Sequence, residues 1–309
     1  MKTFQRIIKE ICEEEQIKVS FLSKDWITML EKDGKTKYIA GYKFDLNNHG
    51  LGLVLDDKYA MYDVLKSKEL PIINHHILYR DTNHNDYAIG CNSYLDALDL
   101  FNKCDCNIVL KPNNGTCGVG VYHITDEIKL KEIYDKLLTN NFSISLCPFY
   151  EIENEFRTII LNNEVKMMYG KIRPIVFGDG KSTIKELLEQ FNYEYFKGYD
   201  EINKDIVLEA GQQFEYDWKF NLSRGSKMFL DINQSDYKCI SSLALQTSLV
   251  VGLSFGSVDI IKTKDGRYYI MEINSGVMME HFIKQVPNGY QIAKEIYSNA
   301  IKSYNWKEY

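Results

Sequence analysis

Several features are scarce in this chain of 309 residues, and each scarcity excludes a class of protein. Five prolines leave no proline-rich linker. A net charge of −6 gives no basic surplus for a nucleic-acid partner. The longest apolar runs, such as residues 248–253, are far shorter than the roughly 20 residues of a membrane-spanning helix, and the start of the chain is acidic where a secretory signal needs an apolar core. We therefore expect a cytoplasmic protein that binds neither nucleic acid nor membranes.

Cysteine and histidine offer no framework for disulfides or zinc. The seven cysteines are an odd number and are scattered along the chain. Cys104 and Cys106 form a single C-x-C without a second pair at zinc-ligand spacing. The six histidines form no H-x-x-x-H pair. We expect reduced, non-ligating thiols, and the case for a metal rests on other residues.

Apolar periodicity predicts helices that alternate with hairpins. Residues 4–15 have an amphipathic helical pattern and a hairpin around Asp33-Gly34 follows, which together indicate a small N-terminal α/β unit. Further helices are predicted after 56–58, at 92–103, 126–138, 183–191 and 235–252, and from 289 to the end of the chain. Single strands are predicted at 71–78 and 143–147. Hairpins are predicted at 107–124, at 154–172 with a turn at Asn162-Asn163, and around a turn at Asp265-Gly266. Few parallel βαβ units are evident, so the predicted fold class is α+β, or mixed α/β.

A glycine-rich segment follows Lys111 at the end of an apolar run. The segment carries three glycines and one hydroxyl that suit a phosphate: Gly115, Thr116, Gly118 and Gly120. Glycines let backbone N–H groups turn towards an anion without hindrance from a Cβ atom, and a lysine at a strand end supplies a fixed positive charge. A hairpin with a glycine tip and a surface lysine explains the same residues, so this segment alone leaves both interpretations open.

Two other glycine patterns do not qualify as nucleotide motifs. Gly180-Lys181-Ser182 resembles the end of a Walker A loop, but Ile175 occupies the position of its first glycine. Gly118-Val119-Gly120 fails as a dinucleotide fingerprint because His123 stands where the third glycine is required. Neither pattern therefore predicts a binding site.

Two carboxylates are predicted to face each other near the end of the chain. Asp265-Gly266 between apolar runs is typical of a two-residue type I′ turn. Counting outwards from that turn puts Asp259 opposite Glu272, with Cβ atoms about 4.5–5.5 Å apart, and Asn274 on the same face. Neighbouring carboxylates either share a proton or hold a cation, and two carboxylates with an amide oxygen suit Mg²⁺. A solvent-facing polar stripe is the alternative, and a register slip of one residue would separate the pair.

The order of these segments resembles the ATP-grasp superfamily of carboxylate–amine ligases, most closely its cyanophycin synthetase and glutathione synthetase-like branch. The resemblance begins at about residue 54 and runs through Asp57-Lys58, Leu70-Pro71, Lys111-Pro112, CPFYEIENEFRTIIL, KIRPIVFGDGKSTIKEL and NLSRGS. It implies an ATP-grasp fold in which two α+β lobes grip ATP. The implied domains are a short N-terminal region at 1–52, on the possible substrate side, and an ATP-grasp domain at 53–309, with a small lobe at about 93–150 and a C-terminal lobe at 151–309.

The same resemblance assigns roles to individual residues. ATP would be bound by the loop residues named above together with Lys58, Lys111, Phe149, Glu151 and Glu155, of which Glu155 would hold the ribose. The metal ligands would be Asp259, Glu272 and Asn274, and the catalytic cations would be Arg173 and Arg224. Two positions depart from the pattern: Ser257 stands where D-alanine ligases carry an arginine, and Ser226 replaces a glycine of the N-L-S-x-G-G motif.

The implied activity is that of an ATP-dependent ligase, which joins a carboxylate to an amine through an acyl phosphate and releases ADP and phosphate. ATP would be a substrate, and two Mg²⁺ ions would assist, with Mn²⁺ able to substitute. Amino acids or peptides would be the other substrates, and their identity stays open. A phosphotransferase on the same fold and a non-catalytic, nucleotide-binding regulatory protein are the alternatives. The 22 tyrosines and 15 phenylalanines allow a homodimer without requiring one.

Overall fold

The N-terminal unit is a helix packed on an antiparallel meander. In the computed structural model, which describes residues 2–80, 93–116, 118–190 and 205–306, the first elements are α1 (Thr3–Glu14), β1 (Lys18–Leu22), β2 (Ile27–Lys32), β3 (Lys35–Ala40) and β4 (Lys43–Phe44). Asp33 and Gly34 have φ values of +49° and +74°, as a type I′ turn requires. The predicted helix and hairpin are confirmed.

Two helices lead from this unit into a small lobe. They are α2 (His49–Asp56), which the sequence pattern does not predict, and α3 (Lys58–Lys66). The small lobe contains β5 (His76–Tyr79), α4 (Tyr94–Lys103), β6 (Ile108–Pro112), β7 (Tyr122–Ile124), α5 (Glu127–Asn140) and β8 (Ser143–Pro148). Its strands form an antiparallel sheet in the order β5–β8–β6–β7, and α4 and α5 cover one face through a core that includes Leu78, Leu110 and Leu146.

The C-terminal lobe is built on a five-stranded antiparallel sheet. Its elements are β9 (Ile152–Leu161), β10 (Glu164–Ile172), β11 (Ile175–Phe177), α6 (Ile184–Glu189), β12 (Gln213–Glu215), a 3-10 turn at Leu222–Arg224, β13 (Lys227–Phe229), α7 (Gln234–Val251), β14 (Phe255–Thr263), β15 (Tyr268–Asn274), α8 (Glu280–Gln285) and α9 (Gly289–Lys302). The strand order is β13–β10–β9–β14–β15, and β11 pairs with β12 separately. Asn162 and Asn163, at φ +49° and +60°, form the predicted turn between β9 and β10.

The two faces of the five-stranded sheet are covered differently. One face packs against α2, α3 and α7 in a core that includes Met61, Phe156 and Val258. The other face packs against α1, the N-terminal meander and α9 in a core that includes Phe4, Ile159 and Tyr297. Because side chains alternate along a strand, Arg157 shares the second face with Ile159. The N-terminal unit therefore covers one end of the face on which a polar patch lies.

The turn between β14 and β15 corrects one prediction. The N–H of Thr263 donates to the carbonyl oxygen of Arg267 at 2.9 Å, so three residues rather than two form the loop. Gly266 occupies the left-handed position of this loop with φ +83°. The pairing next to the loop is therefore shifted by one residue, and Lys262 lies opposite Tyr268. The predicted two-residue turn is wrong.

A second irregularity cancels that shift. A β-bulge lies between Asp259 and Ile260, where two residues of β15 oppose one of β14. Ile260 pairs with Ile270, whereas Asp259 pairs with Glu272. The predicted opposition of the two carboxylates is therefore confirmed, although the sequence argument missed both the longer loop and the bulge.

The segment before β5 is the other place where a predicted strand changes. β5 starts at His76, later than the predicted strand at 71–78. Ile72 and Ile73 contact β15 instead, and the N–H of Ile73 donates to the carbonyl oxygen of Ile270 at 3.1 Å. This segment ties the start of the small lobe to the edge of the larger sheet.

The cysteine side chains and the helix lengths can be compared with the expectations of reduced thiols and of no membrane-spanning helix. Free thiols are found at Cys12, Cys104, Cys106, Cys147 and Cys239, whereas Cys91 and Cys117 lie outside the described residues. Among the helices of the described ranges, none combines the length and the apolar character needed to cross a bilayer.

Candidate active site

One row of directly opposed residues crosses three strands of the larger sheet. Arg157 on β9 lies opposite Asp259 on β14, which in turn lies opposite Glu272 on β15. Directly opposed residues point to the same face of a sheet. Arg157 donates from Nε and Nη2 to the two carboxylate oxygens of Asp259, at 2.7 and 2.5 Å. Asp259 is 1% exposed, whereas the side chain of Arg157 is 22% exposed, so it is the carboxylate of this bidentate ion pair that is almost completely removed from water.

A second buried ion pair lies two residues along the same strands. Lys171 on β10 opposes Glu155 on β9, and its ammonium donates to the Glu155 carboxylate. The same ammonium lies 3.8 Å from Oδ2 of Asp259. Burial disfavours ionised Asp259, but Arg157 and Lys171 outweigh that effect and hold its pKa below the ordinary value. Burial and Arg157 act to lower the pKa of Lys171, but Asp259 and Glu155 prevail and raise it, so this lysine stays charged.

Lys58 connects the glycine-rich loop with the carboxylates. Its ammonium donates to the carbonyl oxygen of Gly115 at 2.5 Å and lies 3.7 Å from Oε1 of Glu272. Its backbone N–H donates to the carbonyl oxygen of Asn113 at 3.3 Å. Burial lowers the pKa of Lys58, and the nearby Glu272 offsets part of that effect. The first half of the loop is therefore held against the first turn of α3, beside Glu272.

The second half of the glycine-rich loop approaches the C-terminal lobe. Gly118 and Gly120 have φ values of +68° and +69°, a region that glycine adopts without steric cost. A Cβ atom on Gly118 would lie 3.0 Å from Nδ2 of Asn221. Asn221 in turn caps the NLSRGS segment, because its Oδ1 accepts from the N–H of Ser223 at 2.9 Å. The loop therefore spans the space between the two lobes.

Lys111 is a half-buried cation whose ammonium is available to an anion. It lies near the end of β6 and opposite Ser145 on β8. Within the described ranges its ammonium makes no hydrogen bond or ion pair. A lysine on a strand, with no carboxylate to neutralise it, suits a phosphate.

Aromatic rings join the two lobes after β8. The ring of Phe149 stacks on that of His123 from β7, with centroids 3.9 Å apart, and Trp218 lies 5.6 Å from Phe149. Glu151 forms an exposed ion pair with Lys264 at 2.9 Å, in the loop between β14 and β15. Phe149 and Glu151, which the resemblance assigns to ATP binding, therefore lie at the junction of the two lobes.

Comparison with known proteins identifies the fold and one domain of this chain. Residues 202–299 match the RimK-like ATP-grasp domain. The structure resembles a bifunctional glutathione synthetase from Pasteurella multocida, with a TM-score of 0.55 and 14% sequence identity, over 96% of this chain and 44% of that one. It also resembles D-alanine–D-alanine ligase from Bacillus anthracis, with a TM-score of 0.51 and 14% identity, over 81% of this chain and 69% of that one. The chain therefore carries a RimK-like ATP-grasp domain.

The sequence relatives of this ATP-grasp chain are much longer proteins. The glutathione biosynthesis bifunctional protein of Listeria monocytogenes serotype 4b is 30% identical over 122 residues, which are 38% of this chain and 16% of that protein. Cyanophycin synthetase from Geminocystis herdmanii is 24% identical over 197 residues, covering 56% of this chain and 22% of that protein. The predicted superfamily, branch and fold are confirmed, while the activities of those longer proteins enter only as support for a proposal.

The position predicted for a metal offers suitable oxygen donors. No cluster of three or more His, Cys, Asp or Glu residues in the described ranges could hold a metal, so a third side-chain donor beside Asp259 and Glu272 would be of another residue type. Asn274 lies two residues after Glu272 on the same face, and its Nδ2 is buried without a hydrogen-bond partner in the described part of the chain. Because the nitrogen and oxygen of a side-chain amide can exchange places, Asn274 can turn its oxygen towards a cation. The set fits Mg²⁺, which would take over contacts that Arg157 and Lys58 now make.

The two arginines predicted to be catalytic lie in ion pairs of their own. Nη1 of Arg173 lies 3.2 Å from Oε2 of Glu215, and its guanidinium lies over the ring of Phe220. Arg224 donates from Nε to Oδ2 of Asp217 at 3.0 Å. Neither pair includes a predicted metal ligand. Their catalytic role stays a prediction.

Arg157 and Lys171 are the site residues that the sequence argument missed. Arg157 is two residues after Glu155 in a strand whose other side is apolar, so the E-x-R spacing was a usable signal for a shared polar face. That signal does not reveal Asp259 as the partner, which lies 102 residues away. Glu155 itself lies in the buried ion pair with Lys171, and its predicted contact with ribose is not tested by this geometry.

In the Walker-like segment at 178–182, backbone N–H groups bind a carboxylate of the same segment. The carboxylate of Asp179 accepts from the backbone N–H groups of Lys181 and Ser182, at 2.9 and 2.6 Å, and from Oγ of Ser182 at 2.7 Å. These bonds lower the pKa of Asp179 to about 2. The N–H groups that a Walker A loop would direct at phosphate are therefore already satisfied.

Asp179 should make the stability of the fold depend on pH in a defined window. Its pKa is depressed in the folded chain, so its contribution is complete above about pH 4, the ordinary range for aspartate, and disappears as the pH falls towards about 2. We expect Asp179→Asn to lower the thermal midpoint above pH 4 and to match the original chain near pH 2. Thermal unfolding of both chains between pH 2 and neutral pH checks this prediction. A difference in thermal midpoint that persists unchanged at pH 2 would contradict it.

Proposed function

We propose that the chain is an ATP-dependent ligase that joins a carboxylate to an amine. The observation that carries the proposal is the row formed by Arg157, Asp259 and Glu272, beside which Lys58 holds the glycine-rich loop. Cations for phosphate and oxygen donors for Mg²⁺ thus lie together. Relatives named for glutathione biosynthesis and as a cyanophycin synthetase support an amino acid or a peptide as substrate. A cytoplasmic location is part of the same proposal.

The protein groups have separate tasks in this proposal. Lys58 and Lys111 bind phosphate oxygens, and the backbone N–H groups of the loop cover them. When bound at Asp259, Glu272 and Asn274, Mg²⁺ would neutralise charge on the β- and γ-phosphates. The junction around Phe149 holds the base. Positioning and electrostatics therefore supply the catalysis, and no covalent enzyme nucleophile is required.

The proposed reaction has two steps. A carboxylate oxygen of the first substrate attacks the γ-phosphorus of ATP, so that ADP leaves and an acyl phosphate forms. The amine of the second substrate then attacks the acyl carbon and loses a proton as inorganic phosphate departs. We assign stabilisation of the developing charge to Arg173 and Arg224, whose present partners are surface or loop carboxylates.

The proposed function is tested by measuring ADP release and by tracing a labelled oxygen atom into the released phosphate. The chain is incubated with ATP, Mg²⁺ and pooled amino acids and dipeptides, and ADP release is measured with the carboxylate and amine donors supplied separately and together. With a carboxylate labelled with ¹⁸O, ligation through an acyl phosphate places one labelled oxygen in the released phosphate. A stable phosphorylated product without an amine requirement would indicate a phosphotransferase instead. ATP binding without turnover would favour the regulatory alternative.

Lys111→Met should weaken ATP binding without unfolding the chain. A charge-assisted hydrogen bond to phosphate is worth about 1.5–3 kcal/mol, so the Kd for ATP should rise roughly 10-fold to 150-fold. Methionine keeps most of the apolar stem of the side chain. Calorimetric titration with ATP measures the change. Lys131→Met on the exposed surface of α5 is the matched control, since Lys131 contacts Asp135 one turn away and the ring of Tyr94, neither of which is a predicted site residue. An unchanged Kd would remove Lys111 from the site.

A further inference from the structure

His75 is a buried imidazole that has no task in the proposed mechanism. It directly precedes β5 and is 1% exposed. Its Nδ1 lies 2.6 Å from Oγ of Ser145, which is itself completely buried. Its other ring nitrogen, Nε2, is buried and has no hydrogen-bond partner among the residues that the structure describes. Such an orphaned polar group is rare in a native fold and calls for a cause.

The strand register places His75 on the same face as Lys111. Lys111 on β6 lies opposite Ser145 on β8, and Ser145 lies opposite Ile77 on β5. His75 is two residues before Ile77, so its side chain points to that face as well. The opposite face of this sheet is the one covered by α4 and α5. His75, Ser145 and Lys111 therefore share the face that is left for a ligand.

Helix α3 approaches His75 from the other side. The ring of Tyr62 lies 6.0 Å from the imidazole, and Lys58 lies one helical turn before Tyr62. Burial lowers the pKa of His75 well below its ordinary value, and the nearby charges of Lys111 and Lys58, with a smaller effect of His76, add to the shift. The imidazole is therefore neutral and lies close to both phosphate-binding lysines.

Hydrogen bonding determines which nitrogen of the neutral ring carries its proton. If the Ser145 hydroxyl donates to Nδ1, the hydroxyl is satisfied and the ring proton lies on Nε2. The reverse arrangement would leave both the hydroxyl hydrogen and the Nε2 lone pair without a described partner. The first arrangement leaves one unsatisfied group rather than two. Nε2 is therefore a hydrogen-bond donor that lacks an acceptor.

We propose that Nε2 of His75 and the ammonium of Lys111 together bind one phosphate oxygen of ATP. Each group lacks an acceptor within the described residues, and an anionic oxygen satisfies both at once. Ser145 is then a positioning residue, because it holds the imidazole with its proton on Nε2. This assignment rests on the proposed function, since it requires ATP in the cleft between the lobes.

The test compares ATP with adenosine, which has no phosphate. Binding of each to the full chain is measured by calorimetry, without a carboxylate or amine substrate, for the original chain and for His75→Leu, His75→Gln, Ser145→Ala and His76→Gln. We expect His75→Leu to raise the Kd for ATP by about tenfold or more while leaving adenosine unchanged. His75→Gln, whose amide can donate, should recover part of the affinity. His76→Gln is the matched control, because the neighbouring side chain points to the opposite face.

The possible outcomes separate this proposal from the proposed function. If the original chain does not bind ATP, the proposed function fails. If it binds ATP but His75→Leu binds ATP equally well, or loses ATP and adenosine to the same extent, the assignment to phosphate fails. Should the variants not fold, ¹⁵N NMR of the original chain decides: a proton on Nε2 and a shift of that nitrogen on addition of ATP support the assignment, while a proton on Nδ1 or an unchanged spectrum overturns it.

Discussion

Asp259→Asn is expected to lower ATP-dependent product formation about 10³-fold, the scale found when a group that stabilises transition-state charge is removed. Asp259 is buried, opposed to Glu272, and ionised because Arg157 and Lys171 favour its charged form. Asparagine has a similar shape and still accepts a hydrogen bond from Arg157, but it carries no charge to hold Mg²⁺. The loss should therefore fall on turnover and on the Mg²⁺ concentration required. The fold should also lose stability, because Arg157 and Lys171 then have one carboxylate fewer.

The measurements for Asp259→Asn must separate catalysis from stability. Turnover is measured over a range of Mg²⁺ concentrations, at a temperature well below the thermal midpoints of both chains, and ATP binding is measured without Mg²⁺. The matched control is Asp265→Asn in the same hairpin, where the carboxylate is exposed and pairs with Arg267. If the turnover of Asp259→Asn stays within a factor of a few of that of the original chain, this aspartate is excluded from the metal site.

The largest effect on stability is expected from the buried pair of Lys171 and Glu155. Lys171→Met leaves the Glu155 carboxylate buried without its cation, which should lower the free energy of unfolding by about 3–5 kcal/mol. Glu155→Leu alone also costs stability, because Lys171 and Arg157 then share only Asp259. The double variant removes both charges, and well-packed apolar groups often replace a buried ion pair at little cost. It should therefore recover most of the loss.

Urea unfolding of the two single variants and the double variant gives the coupling energy directly. The exposed pair of Lys131 and Asp135 on α5 serves as the control, where the same cycle should give about 0.3–0.5 kcal/mol. Additive losses in the buried cycle would show that the two side chains do not stabilise each other. The double variant also tests the predicted contact of Glu155 with ribose: a stable chain with weakened ATP binding would support that contact, and unchanged binding would remove it.

Local sequence signals predicted those helices and turns that interactions between neighbouring residues stabilise. Asn162-Asn163 and Asp33-Gly34 place positive φ angles where the hairpins need them, and both turns are found. Helix α2 was missed because Gly50 and Gly52 weaken its helical pattern. Its stability comes instead from an Asn48 side chain that accepts from the N–H of Leu51 at 2.7 Å, and from tertiary packing of its buried leucines.

The site was predicted less completely because its residues contact partners that are distant in sequence. The opposition of Asp259 and Glu272 was predicted correctly, yet it depends on a bulge that no local pattern announces. Partners of the remaining charges come from other strands, as in the bidentate contact between Arg157 and Asp259. A sequence shows that a side chain shares a polar face, whereas the pairing of strands decides which charge it meets.

The packing of α1 has a consequence for synthesis of the chain on the ribosome. The apolar face of α1 is completely buried in a core to which α9 contributes, and Glu10 pairs with Lys294, 284 residues further along. At synthesis rates of about 5–20 residues per second, α1 waits some tens of seconds for α9 to appear. Until then Phe4 lacks the ring of Tyr297, on which it packs edge to face, and Glu10 lacks Lys294. The packing of α1 is therefore completed only after α9 has been made, which leaves part of its apolar face open to chaperones that bind nascent chains.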